Sequence, residues 1–149
     1  MYHQSTGNYL HAEFASNRGN AKTLNTYVCF YADFSTPQSN VDLNTYQGIR
    51  FKSRLNLTSG NSNNLKLILA IKTPDDNQCH IEHESNYFRP TLIGQFDDIQ
   101  VEFRDLIEPD YFTGKLPPFD PRAAYRVIFS INGEDQAGTL DIDDIQFYK

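Results

Sequence analysis

The 149-residue sequence has no tryptophan, only two cysteines and fewer basic than acidic residues. Its net charge of −6 argues against nucleic acids and anionic membranes as partners, because both bind clustered Lys and Arg. No segment approaches the ~20 consecutive apolar residues of a membrane helix. The first ten residues also lack the basic start and apolar run of a signal peptide. These absences favour a soluble protein with an uncharged partner.

The apolar residues that are present recur at every second position, and helical spacing is not found beyond a turn or two. This alternation is typical of β-strands with one buried and one solvated face. The last strand changes phase halfway, which predicts a β-bulge at Asp143 and Asp144. The pattern predicts eight strands, over residues 8–15, 26–34, 48–57, 65–73, 78–85, 96–104, 124–132 and 138–148.

Eight strands separated by Gly, Asn, Asp and Pro predict an all-β fold, an antiparallel β-sandwich that forms a single domain over residues 1–149. A jelly roll is the natural arrangement of eight such strands. Its usual winding places strands 1, 8, 3 and 6 in one sheet and strands 2, 7, 4 and 5 in the other. Residues 105–122 lack alternation, and a connection of this length is usually functional.

Three sequence blocks have a familiar form: V-D-L-N-T-Y-Q-G-I-R-F at residues 41–51, P-F-D-P at 118–121 and G-T-L-D-I-D-D-I-Q-F-Y at 138–148. Together they resemble the galactose-binding-like jelly-roll modules grouped with the family 11 carbohydrate-binding modules and the complex I intermediate-associated proteins. The resemblance implies a β-jelly-roll without catalysis and, in the carbohydrate-binding members, a glucan-binding cleft on the concave sheet. It also implies a structural calcium site at Asp143. We expect no cofactor, because no acidic cluster precedes Glu13 to complete that site.

The candidate binding residues lie at outward positions of predicted strands 2, 7, 4 and 5. Saccharides are held by aromatic faces against their C–H groups and by charged or amide groups that pair with hydroxyls. This mix occurs on that face, at Tyr27, Tyr31, His80, Glu82, Arg126 and Asn132. Tyr87, just past strand 5, and Asp110 and Tyr111 in the long loop are candidates for the cleft edges. The family 11 modules place an Asp-Tyr pair in the matching loop.

The leading hypothesis is a non-catalytic module that binds a polysaccharide or oligosaccharide resembling β-glucan. We expect it to be a monomeric part of a secreted, multimodular glycan-degrading protein. The alternative is a protein-interaction or assembly-factor domain of the complex I intermediate-associated type. An enzyme is a distant third, because the Asp-rich last strand lacks the two Glu residues that a jelly-roll glycosidase needs.

Two further features of the sequence have structural interpretations. His80 and His83 fall on opposite faces of a strand, so they cannot jointly chelate a metal ion. Cys29 and Cys79 are assigned to the opposite edge strands of one sheet, too far apart for a disulfide. We therefore expect two free thiols.

Overall fold

The computed structural model describes residues 9–16, 27–35, 39, 41–74, 80–85, 88–90, 93–107, 119–133 and 135–149. Within these ranges the regular structure is β, with three short 3-10 turns at Ser62–Asn64, Phe103–Asp105 and Pro121–Ala123. No helix in them is long and apolar enough to span a membrane. The eight strands are β1 (Leu10–Ser16), β2 (Tyr27–Asp33), β3 (Gly48–Ser59), β4 (Lys66–Pro74), β5 (His80–Glu84), β6 (Asp97–Glu102), β7 (Arg126–Asn132) and β8 (Gln136–Tyr148). Their bounds differ from the predicted ones by at most two residues at either end.

The strands form two four-stranded antiparallel sheets. Sheet A has the order β1-β8-β3-β6 and sheet B has the order β2-β7-β4-β5. Apart from β4 and β5, which are consecutive in sequence, all paired strands are distant in the chain, so the sheets depend mainly on long-range pairing. The predicted jelly-roll winding is confirmed.

The core lies between the sheets and is built from the inward positions of the strands. Phe129 of β7 lies near its centre, where Phe30 stacks on it at 5.5 Å between ring centroids and Phe51 packs edge-on at 5.1 Å. Burial of one such ring stabilises the fold by ~2 to 3 kcal/mol. Ser53 is also fully buried, and its hydroxyl has no hydrogen-bond partner among the described residues.

The predicted bulge in β8 is present. Arg50 pairs with Gln146 but Lys52 pairs with Asp143, so β8 carries one residue more than β3 in this interval. Asp144 takes up the extra length with a left-handed φ of 54°. The bulge lets both Ile142 and Ile145 pack against the core although their separation is odd, which explains the phase change in the sequence.

The sequence blocks that carry the family resemblance have structural roles. Leu43 is 1% exposed, and Tyr46 packs against Phe147 of β8 at 5.8 Å between ring centroids. Asp120 accepts a hydrogen bond from the backbone N–H of Arg122 and so begins the last 3-10 turn. The contact between Tyr46 and Phe147 joins the segment before β3 to β8.

One expectation about sheet B is wrong. The alternation predicted solvated outward positions along its strands, but Ile68, Ala70, Ile128 and Ser130 are all buried. These residues belong to β4 and β7, the two inner strands of the sheet. Inner strands have neighbours on both sides, so outward side chains there are shielded, whereas those on an edge strand are not.

Candidate functional site

The outer face of sheet B brings together predicted residues from separate strands. The register places Tyr31 opposite Ile128, and Ile128 opposite Ala70. In the next row Asp33 is opposite Arg126, and Arg126 is opposite Lys72. Antiparallel pairing therefore assembles one surface from segments about 100 residues apart in sequence.

Tyr31, Arg126 and Asp33 form the best-defined group on this face. Tyr31 is 50% exposed, and the guanidinium carbon of Arg126 lies 3.8 Å from the centre of its ring. Asp33 binds the same guanidinium with two hydrogen bonds, from Nε to Oδ1 and from Nη2 to Oδ2, the second 2.9 Å long. The sequence analysis did not select Asp33. Its position two residues after Tyr31, on the same face of β2, was the available signal.

The pairing fixes the charge state of both ionic groups. The hydrogen bonds from Arg126 hold the pKa of Asp33 below its ordinary value of 3.8, and Asp33 in turn raises the pKa of Arg126. Both groups are therefore charged at neutral pH and together contribute no net charge. A guanidinium has five N–H donors, and Asp33 accepts from two of its nitrogens. The group thus offers an aromatic ring and further N–H donors on one surface.

The other predicted residues differ in how far the structure describes them. Asn132 is half-buried and lies opposite Lys66 in the register. Tyr27 is opposite Asn132, Glu82 is opposite Lys72 and His80 is opposite Pro74, but the side chains of these three residues lie outside the described part of the chain. Tyr87, Asp110, Tyr111 and Cys79 lie outside it entirely, whereas Cys29 is described and carries a free thiol.

Asp143 is the residue at which the family resemblance implies a structural calcium site. The carboxylate of Asp143 accepts a hydrogen bond of 2.8 Å from the backbone N–H of Asp144. Within the described ranges, no three His, Cys, Asp or Glu side chains come together in a way that could hold a metal ion. The calcium site that the family resemblance implies at Asp143 stays an untested expectation.

A buried ionic cluster on the outer face of sheet A escaped the sequence analysis. Asp141 is 1% exposed, and its Oδ2 accepts from Arg54 at 2.8 Å while its Oδ1 lies 2.5 Å from Nδ1 of His11. The guanidinium carbon of Arg54 also lies 4.5 Å from the centre of the Phe96 ring. The hydrogen bond to Asp141 raises the pKa of Arg54. These contacts tie β1, β8 and β3 together. Only the strand register brings these residues into contact, so no local pattern signals the cluster.

No protein-family model matches the chain, and no curated protein matches it. Solved structures do match. The family 30 carbohydrate-binding module of a cellulosomal cellulase of Clostridium thermocellum has a TM-score of 0.63 and 14% identity, over 95% of this chain and 74% of that one. The family 11 module from the same organism, in complex with a β-1,3-1,4-mixed-linked tetrasaccharide, has a TM-score of 0.61 and 14% identity, over 97% and 77%.

A third similar structure is a family 28 module specific for non-crystalline cellulose, with a TM-score of 0.56 and 15% identity over 99% of this chain and 78% of that one. At such identities the likeness is one of fold. The chain therefore has the jelly-roll sandwich of carbohydrate-binding modules, as the three sequence blocks indicated.

Proposed function

We propose that this chain is a non-catalytic carbohydrate-binding module that binds a β-glucan-like polysaccharide on the outer face of sheet B. The observation that carries the proposal is the half-exposed ring of Tyr31. The guanidinium carbon of Arg126 lies 3.8 Å from the centre of this ring, and Asp33 accepts hydrogen bonds from the same guanidinium. A planar ring stacks on the C–H face of a sugar, and charged N–H groups pair with its hydroxyls. Because Asp33 balances the charge of Arg126, the group suits a neutral glycan.

The similar structures support this proposal. They are carbohydrate-binding modules, and one of them was solved with a β-1,3-1,4-mixed-linked tetrasaccharide. Two are described as modules of cellulosomal cellulases, which supports an extracellular module within a larger glycan-degrading protein. The proposed ligand contacts are Tyr31, Arg126 and Asn132, with Tyr27, His80, Glu82, Tyr87, Asp110 and Tyr111 as further predictions.

The test is binding to soluble mixed-linkage β-glucan, xyloglucan and mannan and to insoluble cellulose. We expect binding to at least one of them and no release of reducing sugar. Tyr31→Ala should raise the dissociation constant several-fold, since the loss of one stacking ring costs on the order of 1 kcal/mol. Tyr31→Phe keeps the ring and should bind nearly as the parent does.

The control is Arg104→Ala, which removes an exposed arginine that pairs with Glu102 away from this face. Its affinity should equal that of the parent, whereas Arg126→Ala should bind more weakly. Failure to bind any of the glycans would contradict the proposal and favour a protein-interaction domain. Release of reducing sugar would instead indicate an enzyme.

A further inference from the structure

A groove of about 370 Å³ lies on the outer face of sheet A, on the opposite side of the sandwich from Tyr31. Two basic residues of β3 lie along its middle, and polar residues of β6 and β8 flank them. These side chains are Arg50 and Lys52, Asp98 and Gln100, and Asp144 and Gln146. The volume falls within the range of small-ligand sites.

The β8 side of this groove is held by a chain of polar contacts. Gln146 accepts a hydrogen bond of 2.8 Å from Nη2 of Arg50 through its Oε1. Its Nε2 donates to Oδ1 of Asp144 at 2.7 Å, and Oδ2 of Asp144 lies 3.5 Å from Nζ of Lys52. These contacts link Arg50, Gln146, Asp144 and Lys52 along one side of the groove.

The bulge in β8 supplies one member of this chain. Asp144 has a φ of 54°, a conformation that non-glycine residues adopt at a cost and that recurs at functional sites. Asp is one of the few residues that tolerate it. The extra residue lets Asp144 lie beside Gln146 in the groove while Ile142 stays in the core. The local strain therefore places a carboxylate in the groove.

The β6 side of the groove offers two exposed polar side chains. Asp98 and Gln100 are exposed, and neither has a hydrogen-bond or ion-pair partner among the described residues. With the opposite side they provide two cations, two anions and two amides, so the groove has donors and acceptors but no net charge. We propose that this groove is a second saccharide-binding site, which holds sugar hydroxyls through hydrogen bonds and acts independently of Tyr31.

The test is a titration of ¹⁵N-labelled protein with the β-1,3-1,4-linked glucan tetrasaccharide and with cello-, xylo- and manno-oligosaccharides. We expect two separate sets of amide shifts, one around Tyr31 and one around Arg50. Tyr31→Ala should raise the dissociation constant of the first set several-fold and leave the second set unchanged. The double variant Asp98→Ala, Gln100→Ala should raise the dissociation constant of the second set at least about five-fold and leave the first unchanged.

Asp144→Gly separates a binding role from a structural one. Glycine adopts a positive φ freely, and this offsets the loss of the exposed contacts that Asp144 makes with Gln146 and Lys52, so the melting temperature should change by at most about 3 °C. The carboxylate is lost, so the dissociation constant at the groove should rise several-fold. Glu13→Ala is the matched control, because it removes an exposed carboxylate from the same outer face outside the groove.

Three results would overturn the inference: shifts confined to the Tyr31 set, a second set that survives both groove variants, or no shift with any of the sugars. Shifts around Arg50 without shifts around Tyr31 would keep the groove and instead contradict the site under Proposed function. The two proposals therefore fail in distinguishable ways.

Discussion

Phe30 and Tyr31 are neighbours on β2 that face opposite sides of sheet B, so replacing each by alanine separates the core from the candidate site. Phe30 is 3% exposed and stacks on Phe129 at 5.5 Å. Removal of such a ring leaves a cavity between the sheets and costs ~3 to 5 kcal/mol. For a chain of 149 residues, 1 kcal/mol corresponds to about 3 °C, so Phe30→Ala should lower the melting temperature by roughly 10 to 15 °C.

Tyr31→Ala should have a much smaller effect on stability. The ring is half exposed, and its described partner is the guanidinium of Arg126. An exposed cation–π contact contributes ~0.5 to 1 kcal/mol, which corresponds to at most about 3 °C. Glycan affinity should show the reverse order, with a several-fold loss in Tyr31→Ala under conditions where both variants are folded.

The measurements are calorimetric melting, urea unfolding and glycan titration of the parent and both variants. The urea m-value should stay constant, because both variants expose nearly the same surface on unfolding as the parent. Equal losses of stability in the two variants would show that the inward and outward positions of β2 have been assigned wrongly. Unchanged glycan affinity in Tyr31→Ala would instead refute the role of its ring.

Three other substitutions test the fold. Gly138→Ala should destabilise the fold by about 3 kcal/mol or more, measured by urea unfolding. A Cβ at this position would overlap the carbonyl oxygen of Asn56 and lie 3.0 Å from Cα of Leu57. An unchanged urea midpoint would contradict the close approach of β3 to Gly138. Ser53→Ala should leave the free energy of unfolding unchanged or raise it by about 1 kcal/mol, because it removes a buried hydroxyl that has no partner among the described residues. A clear decrease in the free energy of unfolding would show that this hydroxyl does form a hydrogen bond. Asp33→Asn should cost ~0.2 to 1 kcal/mol at neutral pH. Because Arg126 lowers the pKa of Asp33 below 3.8, this cost should be fully present above pH 3.8 and shrink as the pH falls through the lowered pKa; a difference independent of pH would argue against the pair.

The strands and their order could be predicted because both depend on simple regularities. Alternation with period two reports which side of a strand is buried, and it located all eight strands. The bulge at Asp144 was predictable for the same reason, since one extra residue reverses the phase of Ile145 and Phe147 relative to Leu140 and Ile142. The winding followed from the number of strands and from the family resemblance.

The candidate site could be predicted only in part. Tyr31 and Arg126 were selected because residue type and strand phase placed both on one face, and the structure brings them into contact. Asp33 was not selected, because a carboxylate at the end of a strand resembles any solvated residue. The burial of Ala70 and Ser130 was also unforeseen, since alternation does not distinguish an inner strand from an edge strand.

The sequence by itself therefore determined the strands, their phases and the sandwich class, because these depend on hydrophobicity and local backbone preference. Only the tertiary structure decided which side chains meet across the strands. Asp33 and Arg126 are 93 residues apart, and Arg54 and Asp141 are 87 apart. Their contacts depend on the register of paired strands, and a shift of one residue would turn each side chain to the other face. Register is set by the packing of the whole core, which no local pattern contains.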